Sequence, residues 1–362
     1  MKVEVSKELE VGTDFTVSMN NNGNWLRELN VAFTYWDRSS ENVIYSVSQS
    51  PSVGYPSRLT NAIDMSSHGI QFSLTLPVLE SSNLKWDFTT NFGKQTSKID
   101  AIAGGADIIL TSSAGSSAMS LSPGVKIGQI YGYKALTSVD QLRPDGTRYI
   151  AEANAGEYDI VDGRVVNIAS KAIQWTQNAV PLGDPNPKFN VSFINNLKYK
   201  SFLSLGFQFD WVYKPHIYNQ VREWMYRDGI HKDFTTPVTI GGETGAYTAY
   251  YMSAYAGANA GTLNSLNGGG NATKDYYYED ATFLRLRNVS VGLDFAKLTN
   301  LKYFKKLELV LTGRNILTVT KYKGFDPEIS SASTANSAFD RGVDNGTMPN
   351  IKSYQVGLNV SF

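Results

Sequence analysis

The chain offers little from which to assemble a catalytic centre. Its 362 residues include no cysteine, which removes thiolate nucleophiles, disulfides and sulfur metal sites together. The three histidines, His68, His216 and His231, lack metal-ligand spacing and fall in or near expected loops, so no metal site is assigned. Asp326 and Glu328 in GFDPE are close enough for acid–base work, but between Gly and Pro they more readily fix a turn. The run SLNGGGNATKD lacks the flanking strand, helix and Lys-Ser/Thr pair of a phosphate cradle and reads as a flexible loop. No Ser/His/Asp grouping emerges. The expectation is a protein that binds rather than reacts, with no catalytic residue and no cofactor.

The residues best suited to hold a ligand are aromatic. Trp224, Tyr226, Tyr247, Tyr250 and Tyr251 crowd one stretch, followed by Tyr255 and the cluster DYYYED. Flat amphipathic rings stack on sugar faces or grip peptides while a hydroxyl stays with water. They serve equally well to pack a loop against its neighbours, and both readings stand. Lys plus Arg equals Asp plus Glu at 33 each, so no global field points to nucleic acid. With 21 Tyr and 31 Gly, the palette is that of strands and turns.

The elements that must carry these residues announce themselves by period-two alternation. Leu9, Val11, Phe15 and Val17 form one run, broken at Thr13; Leu29 to Tyr35, Ile70 to Leu76 and Leu84 to Phe92 follow. Phe189 to Tyr199 alternates with Asn195 as its exception, and Leu203 to Trp211 is the strongest run. Val289 to Phe295, Leu307 to Leu311 and Tyr354 to Phe362 complete about nine strands by this rule. Short turns (NNNGNW, PVLESSN, KS, KLTNLKYFKK) alternate with long connections at roughly 37–67, 94–187, 213–281 and 320–351. Compact soluble domains seldom carry such loops, whereas outer-membrane barrels alternate short periplasmic turns with long extracellular loops.

Magnitudes agree. Leu203 to Trp211, tilted by ~40°, climbs roughly 23 Å, close to the ~25 Å apolar band of such barrels. Trp25, Tyr199, Phe202, Tyr303 and Phe304 lie beside short turns, and Tyr35, Trp36, Trp211 and Tyr213 lie toward long loops. These two groups read as the aromatic girdles at the headgroup levels. No apolar run approaches the roughly 20 residues of a transmembrane helix, and MKVEVSKELEVG has no signal-peptide core. Three other readings share part of the pattern: a soluble carbohydrate-binding β-sandwich, a passive outer-membrane channel and an enzyme barrel of about ten strands.

The final strand, SYQVGLNVSF, sets Tyr354, Val356, Leu358, Val360 and Phe362 on one face, the face expected to meet lipid. If that strand ends in the periplasm, parity brings the first strand down from outside. About nine strands of that kind do not close into an even-numbered barrel. The expectation is that residues 1–362 are the C-terminal part of a larger barrel, without a signal peptide, a plug or an N-terminal extension.

Particular phrases also resemble a known family. ATFLRLRNVSVGLDF, LELVLTGRNILTVTKYKGFDPEIS and MPNIKSYQVGLNVSF are similar to the closing region of SusC/RagA-family TonB-dependent outer-membrane transporters. SSHGIQFSLTLPV, LKWDFTTNFGKQTSKI, IGQIYGYK and GDPNPKFNVSFINNLKYKSFLSLGFQFDW fit the same family in the same order. The resemblance implies an all-β fold: an antiparallel transmembrane β-barrel segment, about nine to ten strands of a barrel of about 22, with long extracellular loops. It implies import of glycans or peptides across the outer membrane of a Gram-negative cell, driven by the TonB complex, with a SusD-like surface lipoprotein as lid. It also likens Phe362, with Tyr354, Val356, Leu358 and Val360, to the terminal aromatic strand that the barrel-assembly machinery recognises.

Overall fold

A computed structural model describes the chain except at residues 20–22, 49–51, 53, 56, 106–107, 112–117, 256–273 and 330–341. Its frame is one antiparallel sheet of nine strands, each hydrogen-bonded to its sequence neighbour. They are β1 (Val5–Ser18), β2 (Glu28–Ser48), β3 (Ser57–Glu80), β4 (Leu84–Ile102) and β5 (Phe189–Tyr199). β6 (Leu203–Tyr213), β7 (Phe283–Asp294), β8 (Lys306–Thr320) and β9 (Ser353–Ser361) follow. The nine alternating runs are these nine strands.

Register keeps each face chemically uniform. Leu197, Leu205, Val291 and Leu311 lie in one cross-strand row and meet Val356 of β9. On the opposite face the pairs are hydroxyl, amide and charge: Ser73 with Asn91 at 2.8 Å, Thr75 with Thr89 at 3.2 Å, Ser192 with Asp210 at 2.8 Å. Aromatic side chains gather at two levels of the apolar face. Phe92, Phe189, Trp211 and Tyr213 interlock near the long loops, Phe189 lying 5.1 Å from Trp211 and 4.9 Å from Tyr213. Tyr199 meets Phe202 at 5.8 Å, and Phe304 meets Phe362 at 5.2 Å, beside the short turns.

Three expectations need correction. Residues 37–67 are not an irregular loop: β2 and β3 stay paired out to Ser48 and Ser57, with a register shift next to Asn42, whose φ is +58°. At ~3.3 Å per residue the 21-residue β2 is about 70 Å long, far more than a membrane requires. Its outer half, with β3, β4 and Leu121 of the connection that follows, builds a core of its own that includes Val43, Tyr45, Ile63 and Ile99. Trp36 does not join the girdle, because its position in β2 puts it with Ala32 and Thr34 on the polar face, opposite Gly69. Finally, β7 ends at Asp294, and Phe295 begins a short helix, α3 (Phe295–Leu298), capped by the Asp294 carboxylate.

Irregularities in the strands have chemical reasons. Between Leu286 and Asn288 the β6–β7 register shifts, leaving Arg287 as the extra residue against the adjacent pair Gln208 and Phe209. The shift lets odd-numbered Arg285 and Arg287 point to the polar side while odd-numbered Val289, Val291 and Leu293 point to the apolar side. Asn195, the one polar residue in its apolar run, is buried and accepts a hydrogen bond from the Trp86 indole at 3.0 Å. That bond satisfies two polar groups where water cannot reach them.

Replacing Asn195 by Leu should therefore destabilise the refolded barrel in lipid by about 1–3 kcal/mol, by orphaning the Trp86 N–H. The Asn195→Leu/Trp86→Phe double variant should recover most of the loss. Denaturant unfolding in liposomes measures the cycle, and additive losses would contradict the pairing.

Candidate functional site

Above the sheet, the connections after β4, β6 and β8 fold together into one cap. Its spine is the strand His216–Asn219, paired antiparallel with Tyr278–Asp280 and parallel with Val343–Asp344. Asn219 then caps helix α1 (Gln220–Arg227), its Oδ1 accepting from the Arg222 amide at 2.9 Å. Helix α2 (Thr248–Tyr255) packs beside it. Ile130, Ile173, Tyr218, Ile240, Tyr277 and Val343 fill the space between, an apolar core built entirely from loop residues.

Arg222 organises the polar part of this core. Its side chain is 8% exposed and its guanidinium meets Glu279 at 3.2 Å, the Tyr276 carbonyl at 3.0 Å and Asp233 at 3.5 Å. The ring of Tyr276 lies 4.6 Å away and that of Tyr226 5.3 Å. Burial alone would raise the Asp233 pKa, but the Tyr226 hydroxyl and the charges of His231 and Arg222 hold it below its usual range. One residue on, Glu223 accepts from the Tyr218 hydroxyl and from Gln220, each at 2.7 Å. Arg222, Glu223, Asp233 and Glu279 all have partners in this described part of the cap.

The aromatic residues singled out from sequence do not share a surface. Tyr226, Tyr250 and Tyr251 are 0%, 1% and 4% exposed and sit inside the cap core, with Tyr250 and Tyr251 5.0 Å apart. Their rings pack the cap, which leaves Tyr226 and Tyr250 almost no surface of their own. Trp224 and Tyr247 are half-buried at the periphery, the latter under the Lys171 ammonium at 4.9 Å. Of the five, only Tyr251 reaches the open cleft of about 800 Å³ that the cap encloses. Arg164, Arg222, Asp233, Tyr276 and Glu279 line that cleft instead, giving it mixed charge. Sequence spacing carried no sign of this grouping, apart from the DYYYED cluster that supplies Tyr276 and Glu279.

A second polar centre locks the cap to the sheet. Arg285 of β7 holds Asp326 and Glu328 of the GFDPE turn, each at 2.5 Å, and Arg287 bridges Glu328 at 3.0 Å and Asp210 at 2.7 Å. The Asn350 amide closes the turn onto Asp326 at 3.0 Å. The two carboxylates thus fix architecture, as their Gly/Pro setting implies, and both are committed to arginines. The histidines lie apart: His68 is in β3, His216 stacks on Tyr278 at 5.4 Å, and His231 caps a turn at Asp233. Among the described residues no cluster of His, Asp and Glu could hold a metal. The glycine run 265–273 lies outside the described residues.

Lys274, just after that run, gives the cap a pH signature. It is fully buried, donating to the Tyr255 carbonyl at 2.9 Å. Burial lowers its pKa from 10.5 to about 8, with Glu223 and Asp275 opposing the shift. A lysine depressed in the folded cap binds fewer protons there than in the unfolded chain across this window. Cap stability should accordingly rise as pH climbs from about 8 towards about 10. Limited proteolysis of wild type and Lys274→Met in parallel should show their difference in cleavage rate changing across that window; a constant difference would contradict the burial of a titrating ammonium.

Comparisons with known proteins agree with this geometry. The chain is 25% identical to TonB-dependent receptor P3 of Formosa agariphila, over all of this chain and 34% of that protein. It is 20% identical to TonB-dependent receptor SusC of Bacteroides thetaiotaomicron, over 90% of this chain and 29% of that one. The fold matches the RagAB peptide transporter with a TM-score of 0.63 at 18% identity, covering 99% of this chain and 35% of the other. No family model matches. The chain spans about a third of the length of the curated relatives it matches. Alternating faces, paired strands and shared sequence converge: the chain is a homologue of the TonB-dependent receptors, SusC among them, and carries part of an outer-membrane β-barrel.

Proposed function

We propose that residues 1–362 form the C-terminal barrel part of a TonB-dependent importer that takes oligomeric nutrients, glycans or peptides, across the outer membrane. The observation that carries this reading is the pairing of two surfaces in one sheet. A nine-stranded wall with one apolar, aromatic-banded face suits lipid, and its other face bears hydroxyls, amides and charges suited to a wet or plugged lumen. Among the described residues the outer edges of β1 and β9 have no strand partner. Unpaired backbone in hydrocarbon costs several kcal/mol per group, which favours an arc completed by further strands. Kinship to receptors and transporters supports a transport role over an enzymatic one.

Further parts of the proposal rest on the resemblance. The cap is the surface we assign to contact with a SusD-like lipoprotein lid and with substrate. Energy for import comes from the TonB complex. The face Tyr354, Val356, Leu358, Val360 and Phe362, from 43% to 76% exposed, is assigned to the barrel-assembly machinery on the way in and to lipid afterwards.

Uptake of labelled oligosaccharides and peptides by cells making the full-length receptor tests the reading. Saturable uptake that disappears without TonB is expected, and the Phe362→Ala variant should lower uptake through a reduced assembled level. Uptake indifferent to TonB would favour a passive channel instead.

A further inference from the structure

The polar face of the sheet holds a depression that the cap does not use. Trp36 of β2 pairs with Gly69 of β3, which in turn pairs with Gln95 of β4. A Cβ on Gly69 would stand 2.7 Å from two atoms of the indole, so the ring lies against bare glycine backbone. Gly93, one row away, likewise leaves its place open, and a Cβ there would stand 3.0 Å from the Asn190 side chain. Gly69 thus seats the indole, and Gly93 lines an open cleft of about 640 Å³ in the wall, with the indole on one side.

The chemistry of the rim is selective. Thr34, Gln71, Asn91, Gln95 and Asn190 surround the indole, and no carboxylate lines the cleft. Its single charged residue, Lys94, falls by strand alternation on the same face as Phe92, away from the depression. Gln71, Gln95 and Asn190 are exposed and their amides make no side-chain hydrogen bond among the described residues, leaving donors and acceptors free for a ligand. Elsewhere on this face Asp210 is held by Arg287. A flat indole and several free amides suit a ring with an apolar C–H face and equatorial hydroxyls. They offer nothing to the charged termini or side chains of a peptide. The cation over the indole, Arg38 at 5.9 Å from the ring centroid, is already held by Glu8.

We infer that this depression is a subsite for an uncharged pyranose, with Trp36 as the stacking platform and Gln71, Gln95 and Asn190 as hydroxyl readers. The inference deepens the import reading, on which it rests, by choosing glycan over peptide.

Purified full-length receptor in detergent tests it without transport. The probes are an array of neutral plant, algal and microbial glycan fragments and a mixed peptide digest. At least one neutral glycan should bind, and calorimetry with it should give an affinity at least tenfold weaker for Trp36→Ala, with Trp36→Phe between. Heat-modifiable migration of both variants should match wild type. The Gln71→Leu/Gln95→Leu double variant leaves the indole in place and should weaken binding at least fivefold, so the test survives if Trp36→Ala fails to assemble. Absence of any glycan binding, peptide binding alone, or wild-type affinity in the variants would overturn the subsite. TonB-dependent uptake with wild-type glycan affinity in the variants would overturn the subsite alone. Variant-sensitive glycan binding without TonB-dependent uptake would overturn the import reading and leave the subsite.

Discussion

A strand that crosses hydrocarbon must hand every backbone N–H and C=O to a neighbouring strand, because no water is available to take them. The rest of this structure follows from that constraint. It forces sequence neighbours to pair in one meander, β1 to β9, with register held over long ladders such as Phe189–Tyr213 to Tyr199–Leu203. Side chains are then divided between two solvents at every step, which is why Leu203, Leu205, Phe207, Phe209 and Trp211 cannot exchange places with their even-numbered neighbours. A one-residue slip would reverse the entire face.

Departures from that regularity are local solutions to the same constraint. Asn195 is admitted to the apolar face because the Trp86 indole satisfies it. The register shift at Arg287 reverses parity once, at the level where β7 leaves the apolar band and must present cations to Asp210, Asp326 and Glu328. Beyond the band the backbone is again free to bond with water, and the chain stops behaving as a wall. The outer halves of β2, β3 and β4 build one small core, and the later connections build the cap around Arg222. The cap therefore owes its order to buried aromatic area and charge pairing, the ordinary means of a soluble domain.

This division explains what could be read from sequence. Within the band each residue type is dictated by its solvent, so alternation locates all nine strands. Trp36 was misplaced because an aromatic near a strand end looks alike on either face; only its pairing with Gly69 shows which solvent it meets. The continuation of β2 to Ser48 escaped notice because outside lipid both faces of a ladder tolerate polar residues. In the cap, Tyr226 and Tyr250 could be recognised as important but not as interior, since burial there depends on contacts more than 50 residues away, with Tyr277 and Asp162 among them. The turn role of Asp326 and Glu328 was legible from Gly and Pro, whereas their arginine partners on β7 were not.

The central claim is that one face of this sheet meets lipid and the other does not. Because the described chain contains no native cysteine, single cysteines placed at successive positions from Leu203 to Trp211 can carry a spin label without background from it. Collisional relaxation in reconstituted full-length receptor, with oxygen as the lipid-soluble reagent and a nickel chelate as the aqueous one, reads the solvent at each site. The structure predicts oxygen-rich signals at Leu203, Leu205, Phe207, Phe209 and Trp211, and low oxygen access at the four positions between them. Oxygen access without a two-residue period, or chelate access on the odd-numbered face, would contradict it.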